Sequence, residues 1–117
     1  MTDVTIYHNA RCSNSRGALA LLRERGIKPR IVDYIATPLD SKALTALFAA
    51  TGQPVRDLLR SKEAAYRDLN LGDPARTDAE LIDAVARHPE LMNRPIVTTP
   101  RGTKLCRPPE TVLELLD

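Results

Sequence analysis

The chain of 117 residues has no tryptophan and only four aromatic residues, three tyrosines and one phenylalanine. That scarcity removes the stacking platform on which single-stranded nucleic acid is bound. A net charge of +2, with both signs interspersed, also leaves no basic stripe for a phosphate backbone. No nucleic-acid partner is expected. No apolar run approaches the roughly 18 residues of a membrane span, and Met1-Thr2-Asp3 lacks a basic region leading into an apolar one. No membrane association is expected, and the chain reads as cytoplasmic. Two cysteines, Cys12 and Cys106, are too few for a secreted disulfide scaffold, and their separation suits no zinc spacing, so no metal is expected. Their use points instead to redox or nucleophilic chemistry. There are no internal repeats and no low-complexity segment.

What is present fits one compact core. At 43% hydrophobic, 117 residues suffice for one domain over residues 1–117 and are too short for two ordinary ones. Asp3 to His8 alternates apolar and polar, the period of a strand. From Arg16 to Arg25, Ala18, Leu19, Leu21 and Leu22 gather at helical spacing, with Gly26 as a cap. Arg30 to Ile35 is β-branched and bounded by Pro29 and Pro38, giving a second strand and a parallel crossover. Residues 38 to 90 are helical in character throughout. A helix spans Ser41 to Ala50, short pieces run Val55 to Leu59 and Lys62 to Leu69, and a capping box at Thr77-Asp78-Ala79-Glu80 opens a helix that stops near His88-Pro89. Pro95 to Thr99 and Thr103 to Cys106 then read as a hairpin, and a last helix opens at Pro108 and Pro109.

The order β–α–β, helical region, β–β–α predicts an α/β, thioredoxin-like fold: a mixed four-stranded sheet with a helical insertion in the middle of the chain. A proline opening the third strand agrees with this order. The Arg94-Pro95 bond is of the one type readily held cis, although a plain trans proline at a strand edge satisfies the same sequence.

The stretch Ile6-Tyr7-His8-Asn9-Ala10-Arg11-Cys12-Ser13-Asn14-Ser15-Arg16 places Cys12 at a strand-to-helix turn. Unpaired N–H groups and the positive end of a helix dipole favour a thiolate there, and Arg11 and Arg16 add positive charge nearby. The same donors could hold an anion. Cys12 as an inert buried hydrophobe is the competing reading; its polar and charged neighbours weigh against it. Ser15 could donate to the thiolate or solvate the first helical turn. His8, four residues before Cys12 at the mouth of the turn, is placed to help electrostatically, whereas His88 at a helix end reads as structural.

With these pieces placed, the sequence resembles the glutaredoxin-linked arsenate reductases over essentially its whole length. Ile6-Tyr7-His8-Asn9 followed by Cys12 and Ser15-Arg16 resembles the family's catalytic loop. Val55-Arg56-Asp57-Leu58-Leu59-Arg60 resembles its middle arginine segment, and Asn93-Arg94-Pro95-Ile96-Val97 with Leu105-Cys106-Arg107-Pro108 its C-terminal pair. The resemblance implies that Cys12 is the nucleophile, that His8 helps lower its pKa, and that Arg60, Arg94 and Arg107 bind the oxyanion, with Asn9, Ser15, Arg16 and Pro95 in support. It also implies arsenate as substrate, glutathione as co-substrate, glutaredoxin as protein partner and no bound cofactor; a monomer is expected. The family usually has proline where this chain has Ala10, a departure that removes no catalytic group.

Elementary chemistry fits that implication. A tetrahedral oxyanion needs several donors, and arginine forks donate in parallel pairs without losing their charge. A cysteine phosphatase loop would need five residues between cysteine and arginine, whereas Cys12 and Arg16 enclose three. A thioredoxin-like transcription regulator would usually carry a redox pair with two residues between its cysteines, and that position is Ser15. A family oxidoreductase acting on another substrate is a further alternative.

Overall fold

The computed structural model describes residues 3–116, which divide into two compact units. One is built from the two ends of the chain, up to Thr37 and again from Arg94; the other spans Pro38–Asn93.

The first unit holds the sheet. Its strands are β1 (Thr5–His8), β2 (Arg30–Asp33), β3 (Ile96–Thr99) and β4 (Gly102–Leu105), in the order β2-β1-β3-β4. β1 runs parallel to β2 and antiparallel to β3, and β3 pairs antiparallel with β4. The sheet is the mixed four-stranded one expected. Helix α1 (Ser13–Glu24) and a 3-10 helix at Pro109–Leu115 cover the sheet face carrying Val4, Ile6 and Val97. Ala18, Leu19 and Leu22 of α1 meet Val112 and Leu115 in that core. Burying each large aliphatic side chain stabilises the fold by about 1.5–3 kcal/mol. Gly17 lets the two helices approach closely, since a Cβ at that position would lie 3.1 Å from Pro109 Cγ and the proline ring would have to shift by a few tenths of an ångström.

Two expectations about this unit change in detail. The last helix is 3-10 rather than α, and its buried residues Val112 and Leu115 stand three apart, the repeat of that helix. The second strand ends at Asp33 rather than Ile35, because the Asp33 side chain accepts from the N–H groups of Ile35 (3.1 Å) and Ala36 (3.0 Å) and turns the chain.

The second unit is entirely helical, as the insertion required. It comprises α2 (Ser41–Thr51), a 3-10 turn at Val55–Leu58, the short α3 (Ala64–Asp68), α4 (Asp78–Arg87) and a 3-10 turn at Pro89–Leu91. The side chain of Asp40 caps α2 at its start, and Gly52 ends it in the left-handed region (φ +70°) that glycine adopts without strain. The Thr77–Glu80 capping box of α4 forms with both of its hydrogen bonds. Phe48, Leu58, Leu81, Val85 and Leu91 are buried. Leu59 and Met92 form an isolated bridge, and Arg60 N–H donates to Leu91 C=O at 2.7 Å, fixing the backbone from which Arg60 projects. Among the described residues no helix is long and apolar enough to cross a membrane, and no group of three or more His, Cys, Asp or Glu could hold a metal.

Candidate active site

β1 ends at His8, and α1 begins at Ser13 with Cys12 as its N-cap (φ −91°, ψ 124°). The four residues between are held by short polar links. Cys12 N–H donates to Asn9 C=O and Asn9 N–H donates to Ser15 Oγ, both at 3.0 Å. Arg11 N–H donates to the Asn9 side-chain oxygen at 3.0 Å, and Arg16 reaches back to the Ala10 carbonyl at 2.9 Å. These bonds set the loop in the absence of the family's proline at position 10.

An N-cap side chain normally accepts from the second or third N–H of its helix, a place usually filled by Ser, Thr, Asp or Asn. Cys12 occupies that place without closing a side-chain cap bond. Its thiol is nonetheless held below its ordinary pKa. Burial, at 6% exposure, acts to raise it; the N–H of Ser15, the charge of Arg94, the N–H of Asn14 and a hydrogen bond from Arg94 outweigh that effect. Arg107 Nη1 lies 3.7 Å from the sulfur and also donates to the Arg94 carbonyl at 3.0 Å. The Asn14 amide, with its oxygen turned toward Arg107, accepts from both terminal nitrogens at 3.1 and 3.2 Å. Both arginines precede prolines, Pro95 and Pro108, whose peptide bonds are cis.

The structure therefore brings Cys12, Arg94 and Arg107 together and revises how their neighbours contribute. The leading positive charge on Cys12 is that of Arg94 rather than Arg11 or Arg16, both exposed, the Arg16 guanidinium being held by the Ala10 carbonyl. The Ser15 hydroxyl goes neither to the thiolate nor to solvent: it is fully buried and bonds His8 Nδ1 at 2.5 Å, while its backbone N–H serves the sulfur. His8 is pushed below its ordinary pKa by burial, against the pull of Asp33 and with Arg23 and Arg16 assisting. Its ring Nδ1 pairs with the Ser15 hydroxyl, so His8 also anchors the first turn of α1 beneath Cys12. Arg60 lies on the helical unit, ion-paired with Glu63 at 2.6 Å. His88 ends α4, with Glu90 at 3.8 Å. Cys106 is fully buried in the core of the first unit; its sulfur faces the Lys104 carbonyl at 3.6 Å, and burial pushes its pKa up to about 12. Asn14 carries no motif of its own in the sequence. The one signal for it was its place at the second helical position after the cysteine.

A model of the ArsC family matches residues 7–115. The chain belongs to the ArsC family. An arsenate reductase of Rhizobium meliloti is 50% identical over 97% of this chain and 81% of its own length, and one of Escherichia coli is 47% identical over 99% and 82%. The solved structure of an arsenate reductase from Vibrio cholerae superposes with a TM-score of 0.94 at 44% identity, covering 98% of each chain. The ArsC assignment carries a thioredoxin-like fold with it, and the sheet order and crossover of this chain agree. Two guanidinium groups and two helix N–H groups around one low-pKa sulfur form a place where an oxyanion can be held and attacked.

Proposed function

We propose that this ArsC protein reduces arsenate to arsenite at Cys12, with glutathione as co-substrate and glutaredoxin as the protein that clears the enzyme. The observation that carries this reading is the convergence on the Cys12 sulfur of two α1 N–H groups and Arg94, with Arg107 at 3.7 Å. The names of its relatives support arsenate as the oxyanion.

In this reading the Cys12 thiolate attacks the arsenic of arsenate, forming an S–As bond and releasing an oxygen as water. Arg94 and Arg107 offset the charge that builds on the remaining oxygens. Arg60 enters through the resemblance of its segment alone. Glutathione then attacks the adduct. The two thiols together supply the two electrons that take arsenic from +5 to +3, leaving arsenite and a Cys12–glutathione disulfide. Glutaredoxin removes the glutathione by thiol–disulfide exchange and returns Cys12 as a thiol. His8, Asn9, Ser15, Arg16 and Pro95 hold the loop and its surroundings. The chain works in this scheme as a single-domain, monomeric enzyme of the cytoplasm, where both thiol partners are at hand.

The test is arsenate-dependent NADPH oxidation with glutathione, glutaredoxin and glutathione reductase supplied. The expected result is oxidation that requires arsenate, glutathione and glutaredoxin and disappears in Cys12→Ser. No arsenate-dependent oxidation in the complete mixture would overturn the function; equal turnover with thioredoxin in place of glutathione and glutaredoxin would overturn the choice of reductant.

A further inference from the structure

We infer that Tyr34 is a further substrate-binding residue of the Cys12 site, its phenolic O–H donating a hydrogen bond to an oxygen of the tetrahedral oxyanion held there. The inference rests on the reading of Cys12 as the arsenate site. Tyr34 is 2% exposed, and its hydroxyl is buried without a hydrogen-bond partner. Buried polar groups are almost always paired, and an unpaired hydroxyl costs free energy that phenylalanine in the same place would avoid. A tyrosine serving only to fill the core has no use for that oxygen.

The location supplies a use. β1 and β2 are parallel neighbours with His8 opposite Asp33, so the next residues, Asn9 and Tyr34, leave the carboxyl ends of adjacent strands side by side. Ligands in parallel sheets are bound at such strand ends. Asn9 carries the carbonyl that holds the Cys12 N–H. The Asp33 turn is closed by the Ile35 and Ala36 N–H groups and by Thr37 N–H donating to Asp33 C=O at 2.9 Å, which fixes where Tyr34 departs from the strand. The groups acting on the phenol are those of the site: the charge of Arg94, the side chain of Asn9, which is near enough to act on the hydroxyl as a hydrogen-bonding group but closes no bond of full geometry, and Cys12, with Asp33 behind. Burial, the largest influence, pushes its pKa up to about 12, so it remains a donor throughout the working range. Arg94 and Arg107 bring positive charge to the oxyanion; Tyr34 adds a neutral donor whose hydroxyl closes no hydrogen bond of full geometry in the free protein.

Tyr34→Phe removes the oxygen alone. Arsenate protection of Cys12 against iodoacetamide, followed by mass spectrometry, reads binding without requiring turnover. The half-protecting arsenate concentration should rise about tenfold, the order of one hydrogen bond to a charged group, with a matching fall in kcat/KM. The alkylation rate without arsenate should not change, and the melting temperature should stay level or rise, because no bond is lost in the free protein. Unchanged protection in Tyr34→Phe, with clear protection of the parent, overturns the inference and leaves the arsenate reading standing. A marked fall in melting temperature also overturns it, by showing that the hydroxyl is already partnered. Failure of arsenate to protect the parent overturns the arsenate reading and this inference with it.

Discussion

Cys12 and Cys106 belong to the same compact unit, are both free thiols, and are both nearly closed to solvent, at 6% and 0% exposure. Their acidities nevertheless move in opposite directions, Cys12 below its ordinary value and Cys106 up to about 12. Burial acts on both in the same sense, so burial does not separate them. The difference is what faces the sulfur. Cys12 meets two helix N–H groups and arginine, whereas Cys106 sits in a cluster with Val4, Ile6, Ala18 and Val97 and its thiol faces a carbonyl oxygen. A nucleophilic thiol is thus made by donors aimed at it.

The largest effect should come from removing each sulfur in turn. Cys12→Ser should abolish arsenate reduction, while Cys106→Ala keeps most of the parent turnover with glutathione and glutaredoxin in the coupled assay. A Cys12–Cys106 disulfide found by mass spectrometry during turnover would break the comparison, since Cys106 would then be a resolving thiol. The next largest should come from removing the donors. Arg94→Ala and Arg107→Ala should each lower kcat/KM by about 10²–10³, corresponding to roughly 2.7–4 kcal/mol for a donor to developing charge, with lysine restoring only part. Arg94→Ala should also raise the pKa of Cys12; an unmoved pKa would assign the effect to the helix N–H groups alone.

A smaller effect should appear in stability against pH. The folded pKa of Cys12 is depressed, so its thiolate stabilises the fold above the ordinary thiol value of about 8.5, and that contribution is lost as pH falls through the folded pKa. Cys106 has a raised folded pKa, so its contribution is complete below about 8.5 and is lost as pH rises from there toward about 12. Urea midpoints measured across this range should show the gap between parent and Cys12→Ser changing in the parent's favour as pH rises toward 8.5, and the gap between parent and Cys106→Ala moving against the parent above it. Parallel curves for the two variants would remove the distinction.

Much of the fold was legible because its signals are local. Alternation in β1, the Thr77–Glu80 box and Gly52 each act within a few residues, and the structure places these elements within a few residues of expectation. The position of Cys12 at the helix start was legible for the same reason. What was hidden depends on distant neighbours. The charge on Cys12 comes from Arg94, more than 80 positions away, whereas of its near neighbours in sequence Arg11 is exposed and Arg16 turns to the loop backbone. The hydroxyl of Ser15 and the ring of His8 satisfy one another, a pairing that only the burial of both explains. Tyr34 read as an ordinary strand residue, because nothing in its own segment shows that its hydroxyl lacks a partner.

The most direct test of the central claim is the ultraviolet thiolate absorbance of the native protein followed against pH, compared with Cys12→Ser and Cys106→Ala, since it requires no reagent to enter either site. The account predicts one transition with a midpoint below the ordinary thiol value, lost in Cys12→Ser and kept in Cys106→Ala, and no second transition until the pH is well above that value. A Cys12 midpoint at or above the ordinary value, or a low-pH transition that survives in Cys12→Ser, would contradict it.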